Sequence, residues 1–115
     1  MLYYGSDIEL FKGMSRVFTI VREVNGVETA FVGGDVLEFS VKADYADTDY
    51  QVFKQVTVFS EGKAVLEIAP EDTVDMEAPK DYIYDLVLTT GNKKYPLILP
   101  SRLILHPMVN TGAPE

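Results

Sequence analysis

The side chains best suited to chemistry are few in this sequence, and the first is a lone histidine, His106. One imidazole cannot form a two-histidine metal site, and a Ser-His-Asp triad would have to be built on this ring. The sequence has no Gly-x-Ser-x-Gly nucleophile turn. Because Pro107 follows it, we expect His106 at the surface, near the end of the last strand.

Carboxylates are the second group, and they are concentrated in two segments, residues 44–49 and 71–75. Loop carboxylates are typical calcium ligands, but the spacing Asp-x-x-Asp-x-Asp lacks the EF-hand order and its turn glycine. Glycoside hydrolysis would need two carboxylates facing each other across a cleft, and nothing else in the sequence supports that arrangement. Solvated acidic loops are the favoured interpretation, and a calcium-stiffened domain is the alternative.

Seven tyrosines form the third group, since exposed tyrosine offers rigid amphipathic area for proteins and can stack on sugars. Tyr82 and Tyr84 share a period-two stripe with Leu86 and Leu88 and are predicted to be buried. One of them is a candidate tyrosine corner, with its hydroxyl bonded to backbone near the start of a strand. The tyrosines predicted to contact a partner or ligand are Tyr3, Tyr4, Tyr45 and Tyr50.

Composition narrows the class of protein further. The chain has 115 residues, of which 47% are hydrophobic, so one globular domain over residues 1–115 is expected. Its net charge of −8 repels phosphate backbones and anionic lipids, so neither nucleic acid nor membrane is an expected partner. With no cysteine, disulfides and thiolate chemistry are excluded, and no cofactor is expected.

Each end of the sequence supports a prediction of its own. The start lacks the basic and apolar regions of a secretory signal, so synthesis in the cytoplasm is expected. Residues 1–15 are predicted to be an N-terminal arm or first strand. Residues 110–115 carry no large apolar side chain and are predicted to be a flexible tail.

Alternation of apolar and polar side chains, typical of half-buried strands, recurs from residue 35 onward. Residues 56–59 add a β-branched and aromatic run, and Pro79, Pro96 and Pro100 are expected at strand ends, edges or bulges. About seven to nine short strands with almost no helix predict an all-β antiparallel sandwich. The predicted inward-facing stripes are Leu37, Phe39, Val41; Ala64, Leu66, Ile68; Tyr82, Tyr84, Leu86, Leu88; Tyr95, Leu97, Leu99; and Leu103, Leu105.

Residues 15–24 fit two structures. Val17, Ile20, Val21 and Val24 have the spacing of an amphipathic helix. The unbroken β-branched and aromatic run of residues 17–21 favours a strand, and the dipeptide at residues 25–26, Asn-Gly, is a strong hairpin signal. The strand is favoured, and the helix stays open.

Three motifs carry a resemblance to a known family. A Gly-Asp pair before an alternating strand occupies residues 34–41, an Ile-x-x-x-Asp-Thr turn occupies residues 68–73, and a Tyr-x-Tyr-Asp strand occupies residues 81–88. Together with a closing strand within residues 101–110, this stretch resembles the N-terminal immunoglobulin-like domain of phage baseplate upper proteins and related tail proteins. The resemblance implies an immunoglobulin-like sandwich in a virion part, with no catalytic residues to carry over.

The motif residues also make structural sense without the family. Asp and Thr side chains bond to nearby backbone N–H groups and thereby hold turns. Asp85 is expected to act in the same way beside the preceding tyrosine. The residues predicted to be structural are Asp35, Asp72, Thr73, Tyr82, Tyr84 and Asp85.

Two classes of function follow from these observations. The first is a non-enzymatic structural protein of a phage or prophage particle, in a baseplate, tail fibre or capsid surface. Its sheet faces or edges would pack against other virion proteins, or against further copies of the chain. The alternative is a small carbohydrate-binding or adhesion module in which Tyr45 and Tyr50 stack on sugar. An enzyme is not expected.

Overall fold

A computed structural model describes residues 7–109 of the chain. Just over half of these residues lie in strands, and a single helical turn is the one helix among them. The elements are β1 (Ile8–Phe11), β2 (Arg16–Ile20), β3 (Arg22–Val24), β4 (Val27–Thr29), β5 (Val36–Lys42), β6 (Val52–Val56), β7 (Ala64–Ile68), α1 (Pro70–Thr73), β8 (Lys80–Thr90) and β9 (Lys93–His106).

Two sheets build the sandwich. A five-stranded sheet has the order β1-β9-β8-β5-β6, β2 and β7 form a second sheet, and β3 and β4 form a separate hairpin. All pairings are antiparallel except that of β1 with β9, which run in the same direction. The predicted all-β sandwich of seven to nine strands is confirmed, with one parallel pair at an edge.

One apolar core joins the two sheets, as period-two burial along the strands requires. Inward side chains of β5, β8 and the second half of β9 pack with those of β7, so four of the five predicted stripes are buried. The exception is the stripe in the first half of β9, where Leu97 is buried but Tyr95 is 42% exposed. The buried stripe members are Leu37, Phe39, Val41, Ala64, Leu66, Ile68, Tyr82, Tyr84, Leu86, Leu88, Leu97, Leu103 and Leu105.

Two register shifts interrupt the alternation in this half of β9. Tyr84 pairs with Ser101, but Leu86 pairs with Ile98, so two residues of β9 stand opposite Asp85. A second shift follows between Leu86 and the next residue. One extra residue reverses the face to which later side chains point and a second restores it, so alternation fails between the shifts but not beyond them. Tyr95 is again opposite the buried Leu88, and its exposure is therefore not a result of the bulges.

The N-terminal third is formed by strands, which is the structure that the sequence favoured over a helix. β2 and β3 cover residues 16–24, and a two-residue turn of Asn25 and Gly26 joins β3 to β4. Both turn residues have positive φ, which a tight hairpin turn of this kind requires. One expectation was wrong, because residues 57–59 lie beyond the end of β6. The two stripes predicted within residues 95–105 both lie on the single strand β9.

Candidate functional site

The outward face of the five-stranded sheet carries a depression of about 540 Å³, here called the outer-face depression. Its centre is a row across three strands, because Asp85 on β8 is opposite Ser40 on β5, and Ser40 is opposite Phe53 on β6. Because the Ser40 side chain is smaller than its two neighbours, a recess forms between them. The lining residues are Glu38, Ser40, Lys42, Tyr45, Tyr50, Phe53, Ile83, Tyr84, Asp85, Val87, Lys94 and Pro100.

A bulge forms the other side of this row. Leu99 and Pro100 are the two β9 residues that stand opposite Asp85, and proline has no N–H to donate to the ladder. This position fits the predicted placement of Pro100 in an edge, end or bulge. Bulges are over-represented beside binding sites because they redirect side chains.

Aromatic side chains form the wall on the β6 side. Tyr50 and Phe53 have ring centroids 5.0 Å apart at an interplanar angle of 33°. Tyr45 is 70% exposed and Tyr50 51% exposed, so both predicted contact tyrosines present their rings to solvent. The Lys42 ammonium lies 5.0 Å from the centroid of the Tyr50 ring, a cation–π contact that fixes one edge of the wall.

Asp85 is the half-buried charge of the depression. Burial raises the pKa of its carboxyl, and the positive charge of Lys42 partly opposes that rise. Its carboxylate makes no hydrogen bond with any residue from 7 to 109, so it does not hold a turn as expected. The reason is its position in the middle of β8, where the neighbouring backbone groups belong to the strand ladder.

A second recess of about 320 Å³, here called the β2 groove, opens between the two sheets. Residues 18–21 line it consecutively. Successive strand side chains point to opposite faces, so the groove borders the backbone edge of β2 and not only its inner face. Within the described strands β2 pairs with β7 alone, which leaves this edge with unpaired N–H and C=O groups.

The facing wall of the β2 groove is the first half of β9. Leu97 and Ile98 lie there, before the point at which β1 begins to pair with β9 at Leu103. Ile8 of β1 lines the groove as well. Core side chains Phe39 and Leu66 are also part of the lining, which is therefore almost wholly apolar.

The motif residues predicted to be structural at the two turns hold those turns. Asp35 is buried, and its Oδ2 accepts a hydrogen bond from Val32 N at 3.1 Å. Asp72 Oδ2 accepts from Ala69 N at 2.7 Å and also pairs with Lys54 Nζ at 2.8 Å.

Thr73 links two distant parts of the chain. Its side chain is fully buried, and its Oγ1 accepts a hydrogen bond of 2.8 Å from Gly13 N, in the turn between β1 and β2. A buried N–H without a partner would cost free energy, so this hydroxyl ties α1 to the N-terminal strands.

Tyr82 is the tyrosine corner. Its hydroxyl donates a 2.7 Å hydrogen bond to the Glu77 carbonyl, just ahead of β8, and burial raises the pKa of this phenol. Tyr84 is also buried, and burial raises its pKa too. Its ring lies 5.7 Å from that of Phe39, within the core.

The histidine and the carboxylates that were weighed for chemistry in the sequence, and judged more consistent with a surface histidine and solvated loops, have the following positions. No group of three or more His, Asp or Glu side chains within residues 7–109 is placed to hold a metal ion. His106 Nε2 lies 2.7 Å from Glu9 Oε1, and the imidazole stacks on Phe11 at 5.0 Å. The imidazole's hydrogen bond therefore goes to a carboxylate on β1 and not to a serine.

Several residues of the two recesses escaped sequence reasoning. Ser40, Phe53 and Lys94 lie in the outer-face depression, and Phe18 lies in the β2 groove. Alternation along β5 predicts that Ser40 points outward. The pairing of β5 with its neighbours places Ser40 beside Asp85, and the pattern of a single strand cannot predict that pairing. Tyr3, Tyr4 and the predicted tail at residues 110–115 fall outside the described residues.

Comparison with protein-family models gives no match, and comparison with curated proteins gives none either. The likeness to phage baseplate upper proteins therefore stays a prediction that depends on the three motifs. Within residues 7–109 no helix has the length and apolar character to cross a membrane.

Proposed function

We propose that this chain is a non-enzymatic structural protein of a phage or prophage particle that acts by assembling with other virion proteins. The β2 groove is the observation that supports this function best. It combines a strand edge that no strand within residues 7–109 pairs with an apolar trough, and an added strand from a neighbouring protein would use both.

A strand edge and an apolar trough favour binding of an added strand because each of them is unfavourable when it is exposed to water. An unpaired edge presents N–H and C=O groups that pair readily with another strand. The apolar lining loses contact with water when side chains of that strand enter it, at about 25 cal/mol per Å² buried. Backbone pairing would supply affinity, and the fit of alternate side chains into the groove would supply specificity.

The resemblance of the three motifs to phage tail proteins supports a phage or prophage particle as the assembly in which the chain takes part. A baseplate, tail fibre or capsid surface consists of repeated contacts between small rigid domains, and no catalytic residue is required of such a part. Neighbours in this proposal are other virion proteins, or further copies of this chain.

Replacing Thr19 with lysine tests the proposal. Thr19 is exposed and lines the β2 groove, and lysine on a strand edge discourages further pairing. We expect Thr19→Lys to fold with an unchanged circular-dichroism spectrum and to be several-fold depleted from particles of the native host. Density-gradient purification followed by quantitative mass spectrometry measures that incorporation.

Thr57→Lys is the matched control, because Thr57 is also exposed and lies outside the groove. This variant should enter particles as the unaltered chain does. Equal incorporation of both variants would contradict a role for the β2 groove. A strictly monomeric protein on light scattering, absent from every particle fraction, would contradict the assembly function itself.

A further inference from the structure

The outer-face depression has a balanced set of charges. Its lining contains two carboxylates, from Glu38 and Asp85, and two ammonium groups, from Lys42 and Lys94. A phosphate or an acidic ligand would meet both carboxylates, and a polycation would meet both ammonium groups. The lining therefore complements an uncharged ligand with many hydroxyl groups.

The geometry of the depression separates stacking groups from hydrogen-bonding groups. Tyr45, Tyr50 and Phe53 supply ring faces on one side. Ser40 and Asp85 lie side by side at the centre, where they offer a hydroxyl and a carboxylate. Pyranose sugars have this same division, with a face of C–H groups on the ring and hydroxyls around its rim.

Asp85 points to a ligand more strongly than the aromatic residues do. It is half-buried, it makes no hydrogen bond within residues 7–109, and a bulge in β9 interrupts the ladder beside it. A carboxylate that is partly removed from water without a hydrogen-bond donor lowers stability. Two neighbouring sugar hydroxyls would each donate to one of its oxygens.

We propose that the outer-face depression binds a neutral pyranose unit of a surface saccharide. Its ring packs against the aromatic wall of Tyr45 and Tyr50, and its hydroxyls donate to Asp85 while Lys42 and Lys94 donate to ring-edge oxygens. The volume of about 540 Å³ lies in the range of about 300–1,000 Å³ that small-molecule sites have. This binding is a second activity, separate from assembly through the β2 groove.

The test is a titration of the ¹⁵N-labelled protein with methyl β-glucoside, methyl β-galactoside, methyl α-mannoside and N-acetylglucosamine. We expect at least one of these sugars, at millimolar concentration, to shift the amides of Ser40, Tyr50 and Asp85 in a saturable way. Tyr50→Ala and Asp85→Asn should each weaken that binding about tenfold or more.

Two controls match these variants. Tyr95 has an exposure of 42% and lies outside the depression, and Asp75 is an exposed carboxylate without a described partner. Tyr95→Ala and Asp75→Asn should bind the sugar as the unaltered protein does. Absence of shifts with all four sugars, or shifts that persist in both site variants, would overturn the proposal.

A protein contact on the same face would give a different result. Tyr50→Ala would then lower incorporation into particles while no sugar shifted any amide, and that result too would overturn the saccharide proposal. The assembly role of the β2 groove would survive it, because the Thr19→Lys experiment probes the other recess.

Discussion

At the scale of single residues, Asp85 shows how a site differs from a scaffold. A scaffold carboxylate such as Asp72 receives a backbone N–H and a close ion pair with a lysine, whereas Asp85 receives neither from residues 7–109 and is influenced by Lys42 only through its charge. Burial raises its pKa above the ordinary value of 3.8. The folded protein therefore holds this proton to a higher pH than the unfolded chain does.

Asp85→Asn should consequently stabilise the protein at neutral pH. Because the folded state binds more protons at this group, its contribution to the free energy of unfolding falls as pH rises from the ordinary value through the folded pKa. Thermal melts between about pH 4 and pH 7 should show this loss in the unaltered protein and a smaller loss in Asp85→Asn. Asp75→Asn should follow the unaltered protein.

An asparagine that raised stability while it abolished sugar binding would separate the two roles of Asp85. A merely structural carboxylate would lose stability when it was replaced. A lower melting temperature for Asp85→Asn than for the unaltered protein at pH 7 would therefore contradict our interpretation of its surroundings.

Tyr82 is the contrasting case of a polar group in the core whose partner is present. Tyr82→Phe should cost about 0.5–1.5 kcal/mol of unfolding free energy, because the hydrogen bond to the Glu77 carbonyl is lost. Tyr45→Phe, at a 70% exposed tyrosine, should be close to neutral. Urea unfolding measures both, and equal effects would show that the corner contributes no stability.

Residue types predicted the turn builders correctly for a physical reason. Asp35 and Asp72 each bond to backbone three residues away, so the chemistry is local in the sequence. The environment of Asp85 depends on Ser40, 45 residues earlier, and on a bulge in β9. No local pattern encodes such a neighbourhood.

At the scale of elements, period-two hydrophobicity identified β5, β7 and β8 because each has one face on the core and one in solvent. It failed in the first half of β9, where two register shifts interrupt the alternation and where Tyr95, although paired with the buried Leu88, is exposed. Residues 57–59 have strand-like side chains but lie outside every strand, since β6 ends at Val56. Propensity alone cannot say where a pairing partner stops.

The turn at Gly62 is held by a close approach between elements. Its φ is +74°, and a Cβ placed there would lie 2.5 Å from the Cβ of Ala30. At Gly26 φ is +81°, yet a Cβ would meet nothing within 4 Å. The two glycines thus share a backbone conformation and differ in the space around them.

Gly26→Ala should cost about 1–2 kcal/mol through backbone strain alone. Gly62→Ala should cost clearly more, because the loop of Ala30 must move away or the turn must open. Guanidinium unfolding of the two variants gives the difference directly. Similar costs at both positions would mean that Ala30 does not press on Gly62.

At the scale of the whole molecule, the sequence predicted the fold class but not the two recesses, and the two results have one cause. Fold class is an average over many alternating positions, so single errors matter little. The two recesses come from what is missing locally: a strand of residues 7–109 on the second edge of β2, and a large side chain at Ser40. Such gaps appear only when the sheets are assembled.

The parallel pairing of β1 with β9 has a mechanical consequence. Ile8 lies beside Leu103 and Phe11 beside His106. The first residue of β1 and the last residue of β9 therefore lie at opposite ends of the pair. Tension applied between Asp7 and His106 would slide the two strands past each other and strain all their bonds at once. Handles at Lys80 and His106 would instead peel β8 from β9 bond by bond, since Lys80 is paired with Leu105. Optical-tweezer pulling should therefore need a larger force in the first geometry than in the second.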